Sequence, residues 1–293
     1  MLKAIDAVLQ DLNLETENTP LRYCISISSG DTVSVGVFVD TRRFYQVKAA
    51  EFVAFEEEYD AHMRGWQQYG NLVPKPLGRQ VRAGWDVFVT QGVQHKPFIF
   101  RNKGKGRTIT KVIDDLSHFF RVSATAGETA HVANPHDAFL DKLEFYFESS
   151  PYSSVASHWI KQGRSLGVCG LPQLAQHGDF VANNLGYSGK QLVVFDWEDF
   201  GKYHLPGLDI CSFCFSVAPG VEDLRALMTS GNSQNTALGT FVHRACAASG
   251  MDTDFFRGMI PLYLLCFLYV KRGYSPVVQS RIGTAVSQLS GSI

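Results

Sequence analysis

Between positions 177 and 209 the chain sets oxygen-bearing side chains in a definite order. His177-Gly178-Asp179-Phe180 comes first, and Asn184 follows five residues after Asp179. An apolar run, "KQLVVFD", then ends in Asp196, with Trp197 and Glu198 behind it. Two carboxylates and an amide carbonyl are hard oxygen ligands, which suit Mg²⁺ and not zinc. Mg²⁺ held by few protein groups keeps positions for waters and substrate phosphates. A carboxylate beside the ion but off it can orient an incoming hydroxyl and accept its proton. The scaffold this requires is a tight turn at Gly178, a short loop joining Asp179 to Asn184, and a strand delivering Asp196.

The rest of the chain supplies such elements. Apolar residues fall at helical spacing up to about Leu14. The runs "YCISIS", "VSVGVFV" and "FYQVKA", separated by "SGDT" and "DTRR", predict a three-stranded antiparallel meander. Phe55, Tyr59, Met63 and Trp66 predict a helix, and strands follow near "RQVRAG" and "WDVFVTQ". Helical patterns cover about 108–125, 136–148 and 153–162, then most of the chain from Leu208. The fold class is therefore α+β: a small antiparallel β-sheet lobe over residues 1–92 and a larger, mainly helical lobe over 93–293.

The ordered set His177-Gly178-Asp179-Phe180, Asn184, Asp196-Trp197-Glu198 and "HLPGLDIC" resembles the signature of the aminoglycoside phosphotransferase and choline kinase group, relatives of protein kinases. The resemblance implies a two-lobed protein-kinase-like fold and an ATP- and Mg²⁺-dependent transfer of the γ-phosphoryl group to a small-molecule hydroxyl. It makes Asp179 the catalytic base and Asn184 and Asp196 the metal ligands. His177 holds the loop backbone, and Asp209 braces the active-site segment. Upstream, Lys48 matches the strand lysine that contacts the nucleotide phosphates. Its acidic partner is sought among Glu56, Glu57 and Glu58, with Glu56 preferred because it borders the Tyr59 and Met63 face, and with Glu51 as the fallback. The lysine-to-acid spacing is shorter than the group's. Ser28, Ser29 and Gly30 stand where a phosphate-covering turn belongs, although no GxGxxG is present. Gln91, Gly92 and Val93 stand at the hinge whose backbone reads the adenine edge.

Composition excludes other classes. Lys+Arg 27 against Asp+Glu 28 gives a net charge of −1, so no general nucleic-acid partner is expected. The N-terminus lacks a signal-peptide core, and "PLYLLCFLYVK" is about half a membrane span, so no membrane insertion is expected. Six cysteines in a chain of 293 residues predict no disulfide scaffold, and Cys211 and Cys214 read as buried residues. The expected setting is the cytoplasm. HRD, DFG and APE elements are missing, which argues against a protein substrate. The acceptor is left open among sugars, amino-alcohols, choline-like alcohols and aminoglycosides. The competing reading is a non-catalytic kinase-like protein that binds a nucleotide or a partner.

Overall fold

The computed structural model describes all residues except 15–20, 28–31, 41–42, 101–108, 127–134, 172–173, 219, 230–235 and 291–293. It has a two-lobed α+β architecture, with an antiparallel β-sheet lobe and a larger helical lobe. Two compact units divide the chain: Met1–Phe98 with Leu185–Phe200, and Ile99–Asn184 with Gly201–Ile293.

The first unit begins with α1 (Leu2–Asp11) and the strands β1 (Arg22–Ile27), β2 (Val33–Phe38) and β3 (Phe44–Glu51). It continues with α2 (Glu56–Tyr69), β4 (Pro76–Arg82), β5 (Trp85–Gln91) and β6 (Lys96–Pro97). The main sheet has the order β1-β2-β3-β5-β4 with antiparallel neighbours. Strand alternation assigns its faces. Val35, Val37, Val47, Ala49, Val87 and Val89 point to one side and bury Ala4, Ile5, Val8 and Leu9 of α1. Each valine, leucine or isoleucine among them contributes about 1.5–3 kcal/mol when fully buried. Ala50 and Phe88 face the other way and pack on Phe55 and Tyr59 at the start of α2. Lys48 pairs with Phe88, and Gln46 with Thr90, so these four side chains share the α2 side.

A buried carboxylate sets where α2 starts. Asp86 is fully buried on β5, and its Oδ2 accepts from the backbone N–H of Ala54 and of Phe55, each at 2.8 Å. Arg79 of β4 donates to both Asp86 oxygens, supplying the counter-charge that a buried carboxylate needs. A second, three-stranded sheet joins β6 to β7 (Leu185–Ser188) and β8 (Gln191–Val194), in the order β6-β7-β8. Gln191 also donates to Asn71 O at 2.6 Å, which ties β8 to the segment after α2.

The second unit holds α3 (Ile109–Ala126), α4 (Pro135–Phe147), α5 (Ser153–Ser165), α6 (Leu208–Val217) and α7 (Val221–Met228). It ends in α8 (Ala237–Ala248), α9 (Thr253–Gly258), α10 (Ile260–Val270) and α11 (Pro276–Ser290). All of α10 but Tyr269 is buried, as expected of a helix that is apolar all round. Among the described residues no helix is long and apolar enough to cross a membrane. All six cysteines are free. Burial pushes the Cys211 and Cys214 thiols well above their ordinary range, which leaves them unreactive.

Candidate active site

Each unit carries its own cluster of candidate residues. In the first, Lys48 on β3 reaches across to α2, and its Nζ lies 2.6 Å from Glu58 Oε1 and 3.6 Å from Asp196 Oδ1. The expected partner was Glu56, and the structure corrects this: Glu56 is exposed on the first turn of α2. The buried stripe of α2 is Ala61, His62, Gly65 and Tyr69, and Glu58 falls three and four residues before its first two members. The stripe drawn through Tyr59, Met63 and Trp66 is only half-buried.

Asp196 follows β8 and sits in the left-handed region, with φ 62. That conformation is costly for a residue with a Cβ, and it persists where the surroundings enforce it. Trp197 enforces it here. Its ring is fully buried, its Nε1 donates to Val194 O at 2.7 Å, and Tyr69 and Phe200 flank it. Gly65 makes room for the ring, because a Cβ there would stand 2.3 Å from Trp197 Cε3.

Carboxylate oxygens of Glu58, Asp196 and Glu198 lie within 4.8 Å of one another. Burial, then the neighbouring Asp196 charge, pushes the Glu198 carboxyl up to about 7, although Lys48 opposes this. Burial pulls the Lys48 ammonium down, but Glu58 and Asp196 outweigh it and the net direction is up. Three crowded carboxylates facing one ammonium form a site whose excess negative charge a divalent cation would offset. An all-oxygen donor set of this kind fits Mg²⁺. Sequence reasoning gave no role to Glu198, although its place two residues after Asp196 was a visible signal.

Lys48, Glu58 and Asp196 form the charged end of a pocket of ≈ 360 Å³ whose other walls include Phe44, Phe88, Phe195 and Val93. Gln91 lines the pocket as well. At the end of β5, Gln91 N–H donates to Lys75 O and Gly92 N–H to Phe44 O. Ser28, Ser29 and Gly30 lie outside the described residues.

In the second unit the His-Gly-Asp turn needs its glycine, since Gly178 has φ 85. Asp209, in the first turn of α6, accepts from His177 N–H at 2.7 Å and from Gly178 N–H at 3.0 Å. Burial pushes the Asp209 carboxyl up to about 7, against the pull of those two backbone donors. His177 Nδ1 accepts from Asp179 N–H at 3.3 Å, so the ring is tied to the loop backbone. Asn184 Nδ2 donates to Asp179 O and Oδ2, both at 3.0 Å, and its carbonyl oxygen is the atom a cation would take. Two further residues meet Asp179, and motif reasoning missed both. Lys271 Nζ lies 2.6 Å from its Oδ1, and Tyr274 Oη lies 3.4 Å from its Oδ2.

No protein-family model matches the chain, and no curated protein sequence matches it. Solved structures do. A Ralstonia eutropha protein assigned to the aminoglycoside phosphotransferases aligns with a TM-score of 0.66 and 14% identity, over 99% of this chain and 95% of its own. Choline kinase LicA from Streptococcus pneumoniae aligns with a TM-score of 0.64 and 14% identity, over 99% of both chains. A thermostable aminoglycoside phosphotransferase APH(4)-Ia mutant, solved with ADP and hygromycin B, gives 0.59 and 10%, over 98% of both chains. The chain therefore shares the two-lobed fold of these structures, and at these identities the likeness concerns the fold alone.

Proposed function

We propose that the protein is an ATP- and Mg²⁺-dependent phosphotransferase acting on a hydroxyl of a small molecule. The observation that carries this reading is Lys48, paired with Glu58 and close to Asp196, at the charged end of an apolar pocket. An apolar slot suits a purine, and a fixed ammonium suits its phosphates. With the Gln91 and Gly92 N–H groups engaged internally, Gln91 O and Val93 N–H are the hinge groups assigned to the base edge.

Asn184 and Asp196 are assigned to Mg²⁺, with Glu198 beside Asp196. When bound, the ion would neutralise phosphate charge and fix phosphate geometry. Lys48 would bind the α- and β-phosphates, with Glu58 holding its long stem in place. Asp179 would orient the acceptor hydroxyl and take its proton at Oδ2, while Asn184 and Asp209 fix the loop that carries it. Most of the acceleration would come from positioning and electrostatics.

The test is acceptor-stimulated ADP release with Mg²⁺, wild type beside Asp179→Asn. The variant is expected to keep nucleotide binding and to lose turnover by about 10²–10⁴-fold, the usual share of a general base. Wild-type rates in the variant would sink the reading. Nucleotide binding with no turnover in the wild type would favour the non-catalytic alternative.

A further inference from the structure

Lys271 presents a cation at the base from a distant part of the chain. Its side chain is 3% exposed, and a buried ammonium is costly without a counter-charge. Asp179 Oδ1 supplies that charge at 2.6 Å. The Tyr274 ring covers another side of the ammonium at 3.8 Å, and Tyr274 itself is 38% exposed. An ammonium has three N–H groups, and among the described residues no hydrogen-bonding atom engages this one beyond the ion pair. The turn that presents both residues is pinned: Gln279 Nε2 donates to Arg272 O at 2.9 Å and to Tyr274 O at 2.8 Å.

The same segment carries two more cations and no acid. The Arg272 guanidinium lies 4.1 Å from the Tyr269 ring, and Arg281 lies 5.1 Å from the Phe215 ring. Phe215 adjoins Ser216, whose Oγ accepts from Ala182 N–H within the Asp179–Asn184 loop. No Asp or Glu follows Asp254 in the chain. A polyamine acceptor needs carboxylates around the hydroxyl it offers. Here the base is largely neutralised by Lys271, and Arg272 and Arg281 add positive charge on the same segment. The neighbouring acid, Asp209, is buried behind the loop and engaged by two backbone N–H groups.

We infer that Lys271 is a specificity-determining residue that selects an anionic acceptor, a hydroxyl compound carrying a carboxylate or phosphate close to the reacting hydroxyl. Lys271 holds Oδ1 of Asp179. The acceptor hydroxyl takes the place of the Tyr274 hydroxyl at Oδ2, beside Asn184 Nδ2, and movement of the Tyr274 ring uncovers a remaining ammonium N–H for the anionic group. This rests on the assignment of Asp179 as the base.

The test is binding of gluconate, glycerol 3-phosphate, glucose and glucosamine to the full chain at low ionic strength, measured by calorimetry without nucleotide. At least one of the two acids is expected to bind about tenfold or more tightly than glucosamine, and which acid does so separates carboxylate from phosphate. Lys271→Met should bring that ratio to within about twofold, and Lys271→Arg should keep it. Lys271→Met combined with Asp179→Asn leaves no orphaned buried charge, so the comparison survives a folding failure of the single variant. Glucosamine binding as tightly as the acids, neither acid binding, or a ratio unchanged in Lys271→Met would each overturn the inference. Mg²⁺-dependent ADP binding, titrated separately, reports on the phosphotransferase reading alone.

Discussion

Lys48 and its partner show how much a single helical phase decides. Glu56, Glu57 and Glu58 are chemically equivalent in sequence, and only the buried stripe of α2 selects Glu58. The large side chains Tyr59, Met63 and Trp66 suggest one face, whereas Ala61, His62, Gly65 and Tyr69 occupy the packed one, where Gly65 leaves Trp197 its space. A charge-assisted hydrogen bond contributes about 1.5–3 kcal/mol. Glu58→Gln should therefore weaken Mg²⁺-dependent ATP binding or kcat/KM by about ten- to a hundredfold. Glu56→Gln should stay within about twofold, since an exposed carboxylate off the site contributes little. Equal effects of the two substitutions would refute the assignment of Glu58.

At the scale of elements, the site depends on how two turns are held. Gly→Ala in an open helix ordinarily gains about 1 kcal/mol. At Gly65 the added Cβ meets the buried Trp197 ring, and overpacking of this kind costs about 1–3 kcal/mol. Gly65→Ala should therefore lower the urea midpoint and weaken Mg²⁺ binding through Asp196; a stabilised variant would contradict the packing argument. Asp209 braces the other turn. Its folded pKa of about 7 lies above the value of about 3.8 for the free side chain, so the folded state retains a proton that the unfolded chain releases. The stability it contributes is present below about pH 4 and is lost as the pH rises through about 7. Asp209→Asn should flatten that part of the stability–pH curve, read from urea midpoints at pH 4 to 8. It should also cost about 1–3 kcal/mol, because an amide cannot accept from both backbone N–H groups through two oxygens.

For the molecule as a whole, a nucleotide bound only by the folded state must raise thermal stability. Mg²⁺ with ADP at a hundredfold excess over Kd should add about 2.7 kcal/mol, a rise of roughly 4–5 °C in Tm for a chain this size. EDTA should remove most of the rise, and an unchanged Tm would count against the nucleotide site. Strand alternation, helical spacing and the ordered run from His177 to Asp209 were legible in the sequence, because each depends on residues a few positions apart. That determined the α+β class, the main-sheet strands β1 to β5 with α1 and α2, and the loop that joins Asp179 to Asn184. Tertiary structure alone decided that Glu58 meets Lys48, that Asp86 with Arg79 fixes the start of α2, and that Lys271 meets Asp179. Those contacts join residues far apart in the chain, and which side chains meet is set by burial, packing volume and the need to neutralise a buried charge.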